Sequence, residues 1–231
     1  MRFYIIRHAH PDYENDTLTA TGHKEAQALA EHLVGIGIDE IYSSPLGRAR
    51  LTAKYAADLL ALPVTIVNWA QELEGLWIDE LNKTFWDLDG SLLRSSQIIN
   101  ALNHWQDVPP LDNPMIQRNM NLVCQGSDDF LARQGFVRKN DIYEVERDNR
   151  KKIALFTHMG ISLTWLSHLL SIPLPLMWAG FFLPPSSVTT VLFDERVPGF
   201  ALPRCLGMGD ISHLSKAGLE PKPAGIIANY Y

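Results

Sequence analysis

A chain of 231 residues with net charge −6 and 20% charged residues is long enough for one α/β domain with a substantial core. The acidic balance and the lack of a basic run argue against a nucleic-acid partner, while leaving room for a small anion bound by local arginines. Cys124 and Cys205 are too few for a disulfide framework, and Ser167, His168, Pro173 and Pro175 interrupt the longest apolar stretch, so it does not read as a membrane span. The N-terminus has no basic segment followed by an apolar core and a cleavage site, and a cytoplasmic protein is expected.

Arg2 to Arg7 reads as a strand through its Phe-Tyr-Ile-Ile core. His8 to Asp16 is a loop, with Pro11, Asp12, Asn15 and Asp16 as breakers. Thr21 is the expected N-cap of a helix whose Ala26, Leu29, Ala30 and Leu33 share one face and which ends at Gly35-Ile36-Gly37. Ile38 to Tyr42 is a second strand, Arg48 to Leu60 an alanine-rich helix closed by Pro63, and Val64 to Val67 a short third strand. This alternation predicts an α/β fold, a three-layer α/β/α arrangement with a largely parallel central sheet.

Residues 68–150 are less regular. Trp69, Leu73, Leu76, Trp77, Phe85 and Trp86 form an aromatic cluster, 90–104 has helical character, and Asp107 to Pro114 reads as a linker. Ser127 is the expected cap of a helix starting there, with acids in its first turn. Asp148-Asn149-Arg150 is a turn before a buried strand, Ile153 to Phe156; Gly160 to Leu170 is a helix, and Val188 to Phe193 is the last clear strand. Nothing repeats internally. A single domain over 1–231 is expected, with a substrate-shaping insertion at about 80–125.

In a parallel sheet, ligands bind beyond the carboxyl ends of the strands. Arg7-His8, Ser44 to Arg48 and His158 each follow a predicted strand, so the fold should gather them. An arginine fork matches phosphate oxygens with parallel hydrogen bonds, and Arg7 with Arg48 can offset most of a dianion's charge. Either one alone would serve equally as a sheet-edge salt bridge. His8 suits a nucleophile, because neutral imidazole attacks phosphorus and divides one displacement into two; taken in isolation it would read as a satisfied core histidine. His158 suits a donor to a nonbridging oxygen. The leaving oxygen needs a proton. Glu72, in the loop Gln71 to Trp77, is the candidate acid, with Glu74 and Asp79 as rivals and a solvated acidic loop as the plain alternative.

A reading from another class starts from His8-x-His10. That is a metal-ligand spacing, which His158, His213 and Asp210 could extend into a metal-dependent hydrolase. It leaves Arg7 and Arg48 without a role. A catalytically weak phospholigand-binding protein is a third reading.

These segments resemble the histidine phosphatase superfamily, also called the phosphoglycerate-mutase-like family. Arg7-His8-Ala9 matches its Arg-His-Gly/Ala opening, and Ser43 to Ala53 matches its Ser-Ser-Pro-Leu-x-Arg-Ala-x-x-Thr-Ala motif. Leu18 to Ala26 resembles its Leu-Thr-x-x-Gly-x-x-Gln-Ala helix start, with Glu25 where glutamine is usual, and His158-Met159-Gly160 is close to its second-histidine motif. By this resemblance the fold is phosphoglycerate-mutase-like, His8 is the phosphorylated nucleophile, Arg7, Arg48 and His158 form the phosphate pocket, and Glu72 is the proton donor. The usual Arg-His-Gly-Glu-Thr-x-x-Asn opening continues here as Ala9 to Glu14, and Asn15, displaced by one, is the candidate phosphate-binding asparagine. The acid loop is one residue shorter than the common form. The mutase branch's Glu-Arg-His-Tyr-Gly stretch is absent at Glu72 to Gly75, which favours a phosphatase over a phosphoglycerate-type phosphomutase. The resemblance thus implies a metal-independent, cofactor-free phosphatase acting on a small-molecule phosphomonoester, with neither nucleic acid nor membrane as partner. The substrate and the oligomeric state stay open.

Overall fold

A computed structural model describes residues 1–225. Eight strands form one sheet: β1 (Arg2–Arg7), β2 (Glu40–Ser43), β3 (Val64–Ile66), β4 (Phe136–Lys139), β5 (Ile142–Val145), β6 (Lys152–Thr157), β7 (Val188–Val197) and β8 (Phe200–Asp210). Their spatial order is β3-β2-β6-β1-β7-β8-β5-β4. The first four in that order are parallel, with Arg7 opposite Thr157 and Phe156 opposite Ser43, so their carboxyl ends form one edge. Beyond β1 the sheet continues antiparallel, which brings Ser186 and Ser187, just before β7, to that same edge.

Alternation along β1 supplies both cores. Phe3 and Ile5 face one side, Tyr4 and Ile6 the other. Helices α1 (Ala20–Ile36) and α2 (Gly47–Leu60) cover the second side with Leu29, Leu33, Ala53 and Ala56. Helices α3 (Pro114–Arg133) and α4 (Met159–Leu170) cover the first with Phe130, Trp165 and Leu166. Among the described residues, no helix is long and apolar enough to cross a membrane.

Several boundaries differ from the sequence reading, each for a local reason. Thr19, not Thr21, caps α1: its backbone is extended and its Oγ1 accepts from Gly22 N–H at 3.1 Å. Ser127 caps nothing. It is buried inside α3, a helix of 20 residues that begins at Pro114 with Asn113 as cap. Gly126 lies inside the same helix and lets Trp69 pack close, since a Cβ there would lie 2.4 Å from its side chain. The 90–104 region divides into short helices at Gly90–Leu93 and Ser96–Asn100 followed by a 3₁₀ turn. The hairpin of β4 and β5 and the long strand β8 escaped the sequence reading, the latter because Pro203, Gly207 and Gly209 break its pattern.

Trp165 joins the core to α3. It is 1% exposed, stacks edge-on against Phe3 at 5.7 Å and Trp69 at 5.1 Å, and donates its indole N–H to Ser127 Oγ at 2.7 Å. Trp165→Ala should destabilise the fold by about 3–5 kcal/mol in urea denaturation. Ser127→Ala, which leaves one buried N–H unpaired, should cost about 1–3 kcal/mol.

Candidate active site

The carboxyl ends of β1, β2 and β6 carry Arg7-His8, Ser43-Ser44 and Thr157-His158. His8 is fixed through its backbone: its N–H donates to Thr157 O at 2.9 Å, and its carbonyl accepts from Ser186 N–H at 3.0 Å. Its ring Nδ1 lies 2.8 Å from Ala9 O. A carbonyl can only accept, so the Nδ1 proton is committed to it and Nε2 is left with its lone pair. The His8 and His158 rings are 5.1 Å apart, centre to centre. Burial, followed by Arg7 and Arg48, holds the His8 imidazole well below its ordinary pKa, so the ring is neutral.

Arg7 is held by its Nη1, which donates to Leu183 O at 2.6 Å and sits 3.5 Å from Met159 Sδ. Arg48 is held by Asp16, whose Oδ1 accepts from Nη1 at 2.6 Å while Oδ2 accepts from Gly47 N–H at 2.6 Å. Asp16 thereby caps α2 and orients its arginine. Ser44 Oγ accepts from Leu46 N–H at 3.2 Å and lies 2.7 Å from His158 Nε2. With the hydroxyl proton given to Nε2, His158 carries its own proton on Nδ1. Burial first, then His8, Arg48 and Arg7, keep His158 neutral too. Arg7 Nε, Arg48 Nε and His158 Nδ1 are buried and have no hydrogen-bond partner among the described residues. Orphaned buried polar atoms of this kind are rare in folded proteins, and here all three belong to side chains whose charge or ring bears on His8.

Glu72 reaches the same edge from the loop after β3. Its Oε1 accepts from Leu73 N–H at 3.0 Å and Ile161 N–H at 2.9 Å, and its Oε2 accepts from Gly160 N–H at 3.2 Å. The carboxyl thus sits on the N-terminus of α4, where the helix dipole favours negative charge. Burial outweighs these donors and raises its pKa. Of the rivals, Glu74 is exposed and accepts from Gln71 at 2.8 Å, and Asp79 is exposed. Gly160 must stay small, because a Cβ would lie 2.7 Å from the Trp86 ring and 2.8 Å from Glu72 Oε1. Asp87 adds a second half-buried carboxyl, raised by burial and opposed by Lys83 and Arg7.

Five of the six expected site residues, Arg7, His8, Arg48, Glu72 and His158, are brought together. Asn15 stands apart: it is exposed, and its amide donates to Asp12 at 2.9 Å, closing a local turn. The other polar groups of a metal reading are dispersed. His10 Nδ1 lies 3.0 Å from Thr19 Oγ1, His213 Nε2 2.9 Å from Ser186 Oγ, and Asp210 caps Ser212 at 2.8 Å. Among the described residues, no group of three or more such ligands is placed to hold a metal ion. Sequence reasoning missed Asp16, Ser44 and Asp87 as site residues and read Trp86 only as one of several aromatics of the cluster. Ser44 had a signal, its place in the motif before Arg48.

The description of the histidine phosphatase superfamily (branch 1) matches residues 3–103. The chain is 26% identical over 194 residues to the adenosylcobalamin/alpha-ribazole phosphatase of Escherichia coli K12, covering 77% of this chain and 83% of that protein. It is similar in fold to a phosphoserine phosphatase from Entamoeba histolytica in complex with phosphoserine, with TM-score 0.64, 22% identity, and coverage of 92% of this chain and 98% of that one. It is similar likewise to the alpha-ribazole phosphatase of Shigella flexneri, with TM-score 0.60, 22% identity, and coverage of 91% and 97%.

The two depressed imidazoles have a consequence for stability. An unfolded histidine protonates near 6.5, whereas His8 and His158 resist protonation when folded. The unfolded chain therefore binds more protons below that pH, and stability should fall as pH drops from 6.5 toward the folded values. Urea denaturation of the wild type and His158→Asn at pH on both sides of 6.5 should show the wild type losing more stability on the acid side.

Proposed function

We propose that the chain is a member of the histidine phosphatase superfamily, as its match over residues 3–103 supports, and that it hydrolyses a small-molecule phosphomonoester through a phosphohistidine on His8. The observation that carries this reading is the state of the His8 ring. Its Nδ1 proton is committed to Ala9 O, so Nε2 is free to attack, and Arg7, Arg48 and His158, each with an unpartnered buried nitrogen, are close enough to act on the ring. Arg7 Nε, Arg48 Nε and His158 Nδ1 take the phosphoryl oxygens.

In the first step Nε2 attacks phosphorus, the N–P bond forms, and the P–O bond to the alcohol breaks. Glu72 gives its proton to the leaving oxygen, so the alcohol departs neutral. In the second step water attacks phosphorus, its proton passes to the Glu72 carboxylate, and the N–P bond breaks to restore neutral His8. Opposed influences suit Glu72 to both roles: burial favours the acid, and three backbone N–H groups with Arg7 favour the carboxylate. The region at about 80–125 contributes Trp86 against Gly160 and Asp87 toward Arg7, which supports its reading as a substrate-shaping insertion within one domain. The phosphoserine bound by the amoebal neighbour is a small phosphomonoester, which supports a substrate of that size. Asn15 is given no role.

His8→Ala should abolish turnover of 4-nitrophenyl phosphate while circular dichroism stays native. Rapid mixing should trap an acid-labile phosphoryl group on the wild type and none on the variant. Substantial turnover by the variant removes His8 from the nucleophile role.

Glu72→Gln should slow an alkyl phosphate by about 10²–10⁴-fold and 4-nitrophenyl phosphate far less, since nitrophenolate leaves without a proton. Equal slowing of both esters, with the leaving-group dependence appearing instead in Glu74→Gln or Asp79→Asn, transfers the acid role to that residue.

A further inference from the structure

Glu25 is a buried acid that the proposed steps do not use. It lies on α1, is 0% exposed, and forms no ion pair among the described residues. Its Oε2 accepts from His10 N–H at 2.7 Å, and its Oε1 is buried without a partner. A lone carboxyl held this way is costly, because burial disfavours its charged form. The groups acting on it from the surrounding elements are the His10 backbone, Arg7 on β1, and Lys222 in the segment after α5 (Ser212–Lys216).

The His10 N–H belongs to the same peptide group as the Ala9 carbonyl. That carbonyl is the acceptor for His8 Nδ1 at 2.8 Å. One planar unit therefore joins the Glu25 carboxyl at one end to the His8 imidazole at the other. The unit is held from further directions: Ala9 N–H donates to Thr52 Oγ1 at 3.0 Å, His10 O accepts from Thr19 N–H at 3.1 Å, and Gly22 packs so close that a Cβ would meet His10 O at 2.2 Å.

We propose that Glu25 is a positioning residue for phosphoryl transfer, acting on His8 through the Ala9–His10 peptide. An acceptor on the N–H sets the peptide plane, and a negative one polarises it. The carbonyl then accepts more strongly from Nδ1, and Nε2 gains electron density. A third group that orients the nucleophile in this way is a recurrent device in covalent catalysis. Glutamine at this position would supply the acceptor without the charge, so glutamate adds dependence on pH. Burial pushes the Glu25 carboxyl up to about 7, against the pull of His10 N–H, Arg7 and Lys222. The charged form, and with it the faster nucleophile, is gained as pH rises through that value.

The inference rests on His8 as nucleophile, and the experiment separates the two. Single-turnover phosphorylation by 4-nitrophenyl phosphate is followed at pH values on both sides of 7 for wild type, Glu25→Gln and Glu25→Met, with native circular dichroism as the folding control. The ester and Glu72 titrate alike in all three, so differences belong to position 25. The wild-type rate should rise about tenfold through this range beyond the rise in Glu25→Gln, the rate equivalent of one net hydrogen-bond increment. Glu25→Met, lacking both acceptor and charge, should be slower than Glu25→Gln throughout. Identical pH profiles in wild type and Glu25→Gln, or a Glu25→Met rate equal to wild type, overturn the role of Glu25 while trapped phosphohistidine leaves His8 standing. No phosphohistidine in the wild type overturns both.

Discussion

Arg7, His8 and His158 lie 3%, 2% and 0% exposed at one edge of the sheet, and removing so many ionisable groups from water constrains everything around them. Three cations packed this closely would repel one another, so the imidazoles are neutral and the positive charge rests on the arginines. Each arginine is tied by one terminal nitrogen, Arg7 to Leu183 O and Arg48 to Asp16, which fixes the direction of the rest of its fork. Glu72 is held by the N-terminus of α4 and is not paired side by side with Arg7. The same exclusion of water strengthens every charge interaction within the site.

Three glycines let the elements close on that edge. Gly22 near the start of α1 meets His10 O, Gly47 at the start of α2 meets Asp16 O, and Gly160 at the start of α4 meets Trp86 and Glu72. None of the three is needed for an unusual backbone angle; each is needed for close approach. The loops that carry the chemistry are thus pressed against helix N-termini, and the parallel register of β1, β2 and β6 sets the spacing between them. The site is a property of the sheet edge, with its side chains supplied by segments more than a hundred residues apart.

Strand ends were legible because a buried strand is a short apolar run that stops at a polar residue, as Phe3 to Ile6 stops at Arg7 and Ile153 to Phe156 stops before His158. The same logic failed where a breaker serves packing. Ser127 looked like a helix start, yet Gly126 admits Trp69 and Ser127 satisfies Trp165 inside a helix already under way. Strand β8 was hidden by Pro203 and its glycines; register shifts in its pairing with β7 fall beside Gly207 and Gly209, while Pro203 pairs in regular register with Phe193. Asn15 and Asp16 are adjacent acceptor-bearing breakers of the same loop. The left-handed backbone at Asp16 and the turn closed by Asp12 send one to Arg48 and the other to solvent.

Residue type and local pattern alone determined the layered α/β class, the strand ends at Arg7 and His158, and the chemistry of two arginines, two histidines and a carboxylate. These depend on periodicity and on what a side chain can do, both written along the chain. Only the tertiary structure set Glu72 on the N-terminus of α4 while leaving Glu74 and Asp79 exposed, set Asp16 on Arg48 and Ser44 on His158, and placed the Glu25 carboxyl on the peptide that holds His8. Those outcomes depend on distances of about 3 Å between segments remote in sequence, the scale of a hydrogen bond, and no local pattern encodes them.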